Sequence, residues 1–288
     1  MIDVSVVMPV GSVEPELEAQ FVALSNQTFD GSWELVLSLN TPGARADLER
    51  ALQAFSADAV DVSIIDSSAV RSASHARNAG AAAAKAERLA FCDSDDIADP
   101  KWLAVMFAAL DNHRVVGGFL EEERLAVAGQ ENWRPPATPG GNPSFLGHDF
   151  LVSANMAIWT EEFHAAGGFD ESLLRGEDIA FSWALIRRHI ELGFAADAIM
   201  HYRHRKGLWP MMKQHYLYGR GMSQILARIG TPDGGSATLR PNGQRVEKMS
   251  SVHFLRRGSI AVGRVVGLVV ETVQSRRGAL PSDTTSHG

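Results

Sequence analysis

Cysteine is nearly missing from this chain of 288 residues, since Cys92 is its only one. A single cysteine excludes a disulfide framework and a zinc site built on cysteine thiolates. Long apolar runs are missing as well, and the nearest candidate, residues 258–270, is interrupted by Arg264. A membrane-spanning helix needs roughly 18 or more apolar residues in succession, so we expect none. The first ten residues also lack the basic start of a secretory signal, which favours a cytoplasmic location.

No glycine-rich fingerprint follows the first apolar segment, Val4–Val10. The next residues are Gly11, Ser12 and Val13, so the G-x-G-x-x-G pattern of dinucleotide-binding enzymes is absent. The glycine-rich loop with an arginine that is typical of sugar nucleotidyltransferases is absent too. The sequence therefore disfavours a dinucleotide-dependent oxidoreductase and a nucleotidyltransferase.

Charge is distributed unevenly along the chain. The net charge is −7, yet residues 201–288 hold 14 Lys and Arg against 4 Asp and Glu. The first 200 residues are therefore strongly acidic. A basic C-terminal part favours contact with anionic lipid, a phosphorylated ligand or nucleic acid. Nucleic acid is the least favoured of the three, because no recognisable nucleic-acid-binding module is present.

Strand and helix patterns alternate along the first half of the chain. The predicted strands there are residues 4–10, 33–39, 62–66 and 88–92. Strands that alternate with helices predict an α/β fold with a parallel sheet covered on both faces. A Pro-, Gly- and Asn-rich loop follows at residues 129–145, and helices are predicted at 208–229 and 252–273.

The densest group of charges follows the fourth predicted strand. Asp93-Ser94-Asp95-Asp96 places three carboxylates at a strand end, where sheets of this kind bind ligands. Carboxylate oxygens suit Mg²⁺ or Mn²⁺, and a cation would relieve their mutual repulsion. The alternative is an acidic turn that caps the next helix. The preceding strand favours the metal site.

Other polar residues should converge on the same edge of the sheet. Asn40 and Asp66 end the second and third predicted strands. Arg71 and Arg77 precede or begin the next helix, and either arginine could face a phosphate or a carboxylate. The alternative for Arg77 is a structural pair with an acidic neighbour.

Two later features are also candidates for chemistry. Glu177 and Asp178 begin a predicted helix, where they act either as a helix cap or as a general base that faces the metal site. His201 ends a short strand, 23 residues after Asp178. It is either a structural histidine or a metal ligand at the same edge.

These motifs together resemble the family 2 glycosyltransferases. The resemblance rests on the opening strand with its proline, Ala76-Arg77-Asn78-Ala79-Gly80, a DXD-like cluster at Asp93–Asp96, and Gly167–Glu171 followed by Gly176–Asp178. It covers residues 3–205 and implies a GT-A fold, which is a Rossmann-like, mixed, mostly parallel sheet flanked by helices. We expect a glycosyltransferase domain over residues 1–205, a basic helical extension over 206–277 and a disordered tail over 278–288.

The resemblance also implies roles for single residues. Asp178 would be the base that deprotonates the acceptor hydroxyl, and Glu177 would orient the acceptor or the base. Asp95 and His201 would hold Mn²⁺ or Mg²⁺ on the donor diphosphate. The implied nucleotide-sugar contacts are Pro9, Val10, Asn40, Asp66, Arg71, Arg77, Asp93 and Ser94. The implied acceptor-side residues are Asn155 and Trp159.

The implied reaction is an inverting displacement that moves a sugar from a UDP-, dTDP- or GDP-sugar to a hydroxyl acceptor, as in cell wall or polysaccharide biosynthesis. The acceptor could be a glycan, a lipid-linked molecule or a small molecule. The alternative is a catalytically silent sugar-nucleotide or glycan-binding module, which the retained Asp93, Asp95 and Asp178 disfavour. Val10-Gly11-Ser12-Val13 and Leu39-Asn40-Thr41 depart from the family pattern and leave the nucleotide open.

Residues 252–273 predict a basic amphipathic helix with two possible uses. The helix packs on the catalytic domain or a second subunit, or it contacts a membrane surface through Arg256, Arg257 and Arg264. Peripheral contact at the inner face of the cell membrane would suit a lipid-linked acceptor. A homo-oligomer remains open, and no nucleic-acid partner is expected.

Overall fold

The computed structural model of the chain describes residues 2–130, 133–233 and 251–278. The described residues form two compact units, one of residues 2–171 and 177–204, the other of residues 172–176, 205–233 and 251–278. The sequence predicts a disordered tail from Gly278 onward, whereas Gly278 is the last residue of a helix in the structure. Residues 279–288 lie outside the described residues.

The first unit carries all the strands and six helices among the described residues. The strands are β1 (Val4–Val10), β2 (Trp33–Leu39), β3 (Asp61–Asp66), β4 (Arg88–Cys92), β5 (Ile97–Ala98), β6 (Val115–Glu121), β7 (Ser144–Phe145), β8 (His148–Asp149), β9 (Asn155–Trp159) and β10 (Leu192–His201). The helices are α1 (Pro15–Ser25), α2 (Arg45–Ala51), α3 (Ala73–Ala83), α4 (Trp102–Ala109), α5 (Thr160–Ala165) and α6 (Glu177–Arg187).

Eight strands form one sheet in the order β3-β2-β1-β4-β9-β6-β10-β5, and β7 pairs with β8 as a separate hairpin. The pairs β3-β2, β2-β1, β1-β4 and β6-β10 are parallel. Strand β9 runs antiparallel between β4 and β6, and β5 runs antiparallel to β10. The prediction of a mixed, mostly parallel sheet flanked by helices is confirmed.

The central strands are apolar on both faces because a core lies on each side of the sheet. All seven residues of β1 are buried, as expected for a strand covered by helices on both sides. Val6 and Met8 belong to one core, and Val7 between them belongs to the other. This alternation follows from the two-residue period of a strand. Because β1, β2, β3 and β4 run parallel to one another, their carboxyl ends lie at one edge of the sheet.

The second unit contains α7 (Leu208–Arg228) and α8 (Ser251–Gly278), which pack closely along each other. Glycine makes the close approach possible, because a methyl group on Gly263 would overlap the Tyr216 carbonyl. Arg228 fixes the pair at one end by donating to both carboxylate oxygens of Glu271, at 2.8 and 2.9 Å. None of the helices within the described ranges combines the length and apolarity needed to cross a membrane.

We expect Gly263→Ala to destabilise the helix pair by about 1–3 kcal/mol, because the added methyl group meets backbone that cannot turn away. Gly258→Ala on the same helix is the matched control, since nothing lies within 4 Å of its added methyl group. That control should be neutral or stabilising by up to about 1 kcal/mol. Thermal unfolding followed by circular dichroism checks both variants, and equal stability of the two would contradict this account of the packing.

Candidate active site

Three aspartates gather in the loop that follows β4. Asp93, Asp95 and Asp96 each contribute one carboxylate oxygen to a cluster whose atoms lie within 4.8 Å of one another. Asp93 is half-buried, Asp95 is exposed and Asp96 is buried. Like charges held this close repel one another, and hard oxygen ligands in such a group suit Mg²⁺ or Mn²⁺.

Asp96 shows that this cluster is more than a surface turn. Its Oδ1 accepts a hydrogen bond from the Arg203 amide at 2.7 Å, whereas its buried Oδ2 has no partner among the described residues. Burial, followed by the charges of Asp93 and Asp95, raises the pKa of Asp96 well above its usual range. A buried oxygen without a partner is costly, and a divalent cation would supply one. The three aspartates therefore fit a divalent cation.

Arg77 joins this cluster to the start of α6. Its guanidinium donates from Nη2 to Asp93 Oδ1 at 2.6 Å and lies 3.4 Å from Glu177 Oε1 through Nη1. The side chain is buried and stacks 5.8 Å from the centre of the Phe169 ring. Burial opposes the charge, but Asp93 and Glu177 outweigh it and raise the pKa of Arg77. The structure shows the pairing with carboxylates that was one of the alternatives for Arg77, and its contact with the nucleotide-sugar stays a prediction.

Asp178 lies beside Glu177 in the first turn of α6, directly after Gly176, whose φ is 87°. Its Oδ1 accepts from the Ile179 amide at 2.9 Å. Burial and then the Glu177 charge raise the pKa of Asp178 to about 7, against the opposing effects of that hydrogen bond and of Arg77. A carboxylate with a pKa near neutrality is well matched to proton transfer.

Asn78 holds the turn that leads toward α6. Its amide exchanges two hydrogen bonds with the backbone of Phe169, at 2.8 and 2.9 Å, and donates a third to Glu171 at 2.9 Å. Phe169 itself packs against Phe91 and Phe181 in the second core. The sequence Ala76–Gly80 and the turn at Gly167–Glu171 therefore form one structural unit, although about 90 residues separate them.

His201 ends β10 beside the aspartates. It pairs with Ile97 across the antiparallel β10–β5 contact, one residue after Asp96. Its Nδ1 lies 2.6 Å from Glu121 Oε2, and its buried Nε2 has no partner in the part of the chain that the structure describes. Arg203 ties the two segments together, because its amide and Nε donate to Asp96 Oδ1 and to the Asp95 carbonyl. The histidine thus lies next to the cluster with one nitrogen available.

The predicted donor residues fall into two groups. One group lies at the same edge as Asp93: Asn40 follows β2, Asp66 ends β3, and Arg71 lies in the loop after β3. Asn40 uses its amide to hold the carbonyls of Ser67 and Val70, at 2.9 and 2.7 Å.

The other predicted donor residues lie in the aspartate loop and in β1. Ser94 is half-buried in the aspartate loop. Pro9 and Val10 are buried within β1, and the Val10 carbonyl accepts from the Asn40 amide at 2.9 Å. The expected contact of Pro9 and Val10 with the nucleotide-sugar stays a prediction.

Asn155 is a core residue, so its expected acceptor contact is corrected. The side chain is 1% exposed. Its Oδ1 accepts from Trp102 Nε1 at 2.8 Å, and its Nδ2 lies 3.0 Å from the carbonyls of Phe119 and Ala198. These bonds connect α4, β6, β9 and β10 beneath the site and leave no group of the amide for a substrate.

Trp159 lies at the opposite edge of the sheet. Because β9 is antiparallel to β4, Trp159 pairs with Arg88 at the start of β4, whereas Asn155 pairs with Cys92 at its end. The guanidiniums of Arg88 and Arg114 stack on its ring at 4.6 and 4.7 Å. The structure separates Trp159 from the carboxylates, and its expected place on the acceptor side is corrected.

The sequence argument assigned no role to Glu121 or Arg203. Glu121 ends β6, whose carboxyl end meets the same edge as β10, and the register pairs it directly with His201. A polar run at the end of an apolar strand was the available signal for Glu121. Arg203 gave no comparable signal, since it contacts the aspartates through its backbone amide and Nε across the chain.

We expect Asp178→Asn to stabilise the protein at about pH 8 by roughly 2 kcal/mol. Asp178 keeps partial contact with solvent, which limits the size of this effect. The folded-state pKa is above the value of about 4 in an unfolded chain, so ionisation of Asp178 costs stability. That cost is absent below about pH 4, grows as the pH rises toward 7 and is constant above it. The stabilisation should therefore vanish in acid.

Urea unfolding across this pH range checks the expectation. Asp66→Asn is the control of opposite sign, because hydrogen bonds from Ser68 lower the pKa of Asp66. Loss of that carboxylate should not stabilise the protein at any pH. A difference between Asp178→Asn and the wild type that does not change with pH would contradict the assigned pKa.

Comparison with known proteins supports a single family. The family model described as Glycosyl transferase family 2 matches residues 5–145, which include the aspartate cluster. The pre-mycofactocin glycosyltransferase of Mycobacterium tuberculosis is 26% identical over 218 residues, which are 70% of this chain and 43% of that protein. The chain therefore spans less than half the length of this curated relative.

Solved structures share the fold. S. aureus TarS 1-349 in complex with UDP-GlcNAc has a TM-score of 0.55 at 15% identity, over 96% of this chain and 92% of that one. The mannosyltransferase PcManGT from Pyrobaculum calidifontis, in complex with GDP-Man and Mn²⁺, has a TM-score of 0.59 at 16% identity, over 97% and 76%. The expected GT-A fold is confirmed. The family-model match over residues 5–145, the curated relative and the shared fold together support a resemblance of this chain to the family 2 glycosyltransferases.

Proposed function

We propose that the protein is an inverting, metal-dependent glycosyltransferase that moves a sugar from a nucleotide-sugar donor to a hydroxyl acceptor. The observation that carries the proposal is the buried chain of contacts from Asp93 through Arg77 to Glu177, with Asp178 next to it at a pKa of about 7. This arrangement provides a donor side, an acceptor side and a proton acceptor within one network. The solved structures with UDP-GlcNAc and with GDP-Man and Mn²⁺ support a nucleotide-sugar donor.

The proposed mechanism assigns proton transfer to Asp178. Its Oδ1 is engaged by the Ile179 amide, so Oδ2 would accept the proton of the acceptor hydroxyl. The hydroxyl oxygen would attack the anomeric carbon as the bond from that carbon to the leaving diphosphate breaks. Arg77 holds the carboxylates of Glu177 and Asp93 in position. Asp93 and Ser94 would contact the ribose or the sugar. Positioning of both reactants in line accounts for much of the rate in such displacements.

A divalent cation, Mn²⁺ or Mg²⁺, would neutralise the charge that develops on the leaving diphosphate. Asp95 and Asp96 would hold it through their carboxylate oxygens. His201, which pairs with Ile97 directly after Asp96, would add an imidazole nitrogen. The nucleotide remains open among UDP, dTDP and GDP. Asn40, Asp66 and Arg71 are the proposed contacts for the nucleotide, since they line the loops after β2 and β3.

We expect one nucleotide-sugar to raise the melting temperature of the wild type only when Mn²⁺ is present. A ligand at about 100 times its Kd stabilises the native state by about 2.7 kcal/mol. Asp95→Ala should lose this shift because a metal ligand is gone. Asp111→Ala is the matched control, since Asp111 pairs with Arg88 at the opposite edge of the sheet. A panel of UDP-, dTDP- and GDP-sugars in a thermal-shift assay checks these expectations.

The same panel separates the enzyme from a silent binding module. Asp178→Asn should keep the donor-dependent shift and lose release of nucleoside diphosphate. A wild type that binds a donor but releases no diphosphate with any acceptor would favour the silent module. Equal shifts in the wild type and Asp95→Ala would overturn the proposed metal site.

We also propose that α8 rests on an anionic membrane surface, which would place the enzyme at the inner face of the cell membrane near a lipid-linked acceptor. Seven large apolar residues of α8 are 44–65% exposed. They are Phe254, Leu255, Val262, Val265, Leu268, Val269 and Val273. Their spacing puts them on one face of the helix, and Gly263 and Gly267 face α7 on the other. The exposed Arg257 and the basic sequence around it complement anionic lipid.

We expect the protein to float with vesicles of phosphatidylserine and phosphatidylcholine more than with phosphatidylcholine alone, and less at high salt. The double variant Val265→Asp with Val269→Asp should abolish flotation. Val22→Asp is the matched control, because Val22 is 49% exposed on α1. The membrane proposal would be contradicted if the wild type does not float and forms a dimer that the double variant dissociates. A second copy of the chain would then cover the apolar face of α8.

A further inference from the structure

Glu121 holds His201 in one orientation. The Glu121 carboxylate ends β6, directly beside His201 in the parallel β6–β10 register. Its Oε2 lies 2.6 Å from His201 Nδ1. Its Oε1 accepts from the amides of Glu123 and Arg124, at 2.6 and 3.0 Å. The carboxylate is therefore fixed by backbone groups before it meets the histidine.

This contact decides which nitrogen of His201 carries the proton. A carboxylate accepts hydrogen bonds, so Nδ1 is the nitrogen that donates to Glu121 and Nε2 is the nitrogen left for another ligand. Glu121 thus holds the imidazole through Nδ1 and leaves Nε2 available.

His201 Nε2 is buried and has no partner within the described residues. A buried polar atom left without a partner costs free energy, unless a ligand satisfies it. Asp96 Oδ2, on the neighbouring segment, is also buried and has no hydrogen-bond partner among the described residues. The Arg203 contacts hold these two segments side by side. Two metal-ligating atoms without partners among the described residues, one at the end of β10 and one in the loop after β4, therefore lie on neighbouring segments.

We propose that Glu121 is a positioning residue that fixes the tautomer and ring orientation of His201, so that Nε2 binds the divalent cation held by the aspartates. This inference rests on the proposed metal-dependent function. Carboxylates that accept from a metal-bound histidine orient it and raise its basicity, and their loss costs about 10–100-fold in metal affinity. The alternative is a purely structural pair whose loss changes stability but not metal binding.

The chain provides a matched pair for comparison. Glu122, the next residue, lies 2.9 Å from His204 Nε2 through its Oε1. It is also a carboxylate–histidine contact between the loop after β6 and the segment after β10. No aspartate of the cluster is bonded to His204 in the contacts the structure describes. Glu122→Gln therefore removes the charge from a similar contact without touching His201.

The test is a Mn²⁺ titration of the full chain, with free Mn²⁺ measured by electron paramagnetic resonance, alone and with UDP or GDP. We expect Glu121→Ala to weaken Mn²⁺ binding by about 10–100-fold. Glu121→Gln should lie between this variant and the wild type, because its amide oxygen still accepts from Nδ1 but carries no charge. Glu122→Gln should bind Mn²⁺ like the wild type.

A double variant separates positioning from a general structural effect. In a His201→Ala background, Glu121→Ala should weaken Mn²⁺ binding by no more than about twofold further, because Glu121 acts through the missing histidine. Melting temperatures of the metal-free proteins verify folding, and Glu121→Gln decides the question if Glu121→Ala does not fold. The proposal is overturned if both Glu121 variants bind Mn²⁺ as the wild type does, or if Glu121→Ala has its full effect without His201.

A wild type that binds no Mn²⁺ under any of these conditions would overturn this inference and the metal part of the proposed function together. A wild type that binds Mn²⁺, with Glu121 variants that bind it equally well, would overturn this inference alone.

Discussion

The buried guanidinium of Arg77 is the interaction on which the site depends. It bridges Asp93, which follows a strand, and Glu177, which begins a helix 100 residues after Arg77. Burial of the guanidinium costs free energy unless anions pair with it, and carboxylates gathered at one sheet edge repel one another unless a cation lies between them. The pairing of Arg77 with the carboxylates therefore offsets both costs. Removal of Arg77 would leave the carboxylates of Asp93 and Glu177 without their shared cation.

The same electrostatics explain why the site is poorly optimised for stability and well suited to chemistry. Asp178 and Asp96 both have raised pKa values because burial and neighbouring carboxylates disfavour their charged forms. Two buried atoms, on Asp96 and on His201, lack partners among the described residues. Strain of this kind persists at functional sites where a ligand or a proton relieves it. The surrounding sheet, with apolar cores on both faces, supplies the stability that the site lacks.

Much of the fold could be predicted from the sequence because the relevant signals are local. The strand patterns, the aspartates that follow β4 and the carboxylates at the start of α6 are each contained in a few residues. The pairing of strands that are far apart in the sequence could not be predicted in this way. The antiparallel insertion of β9 sends Asn155 into the core and Trp159 to the far edge. The pairing of Glu121 with His201 likewise depends on the β6–β10 register, which no local motif encodes.

The central claim is that one arginine-linked network holds a carboxylate ready to accept a proton near neutral pH. The most direct measurement is the pKa of Asp178 from the side-chain carbon resonance of ¹³C-labelled aspartate, assigned with Asp178→Asn. The account predicts a midpoint of about 7 in the wild type and a higher one in Arg77→Gln, because the arginine favours the ionised form. A midpoint near the ordinary value of about 4 in both proteins would contradict it.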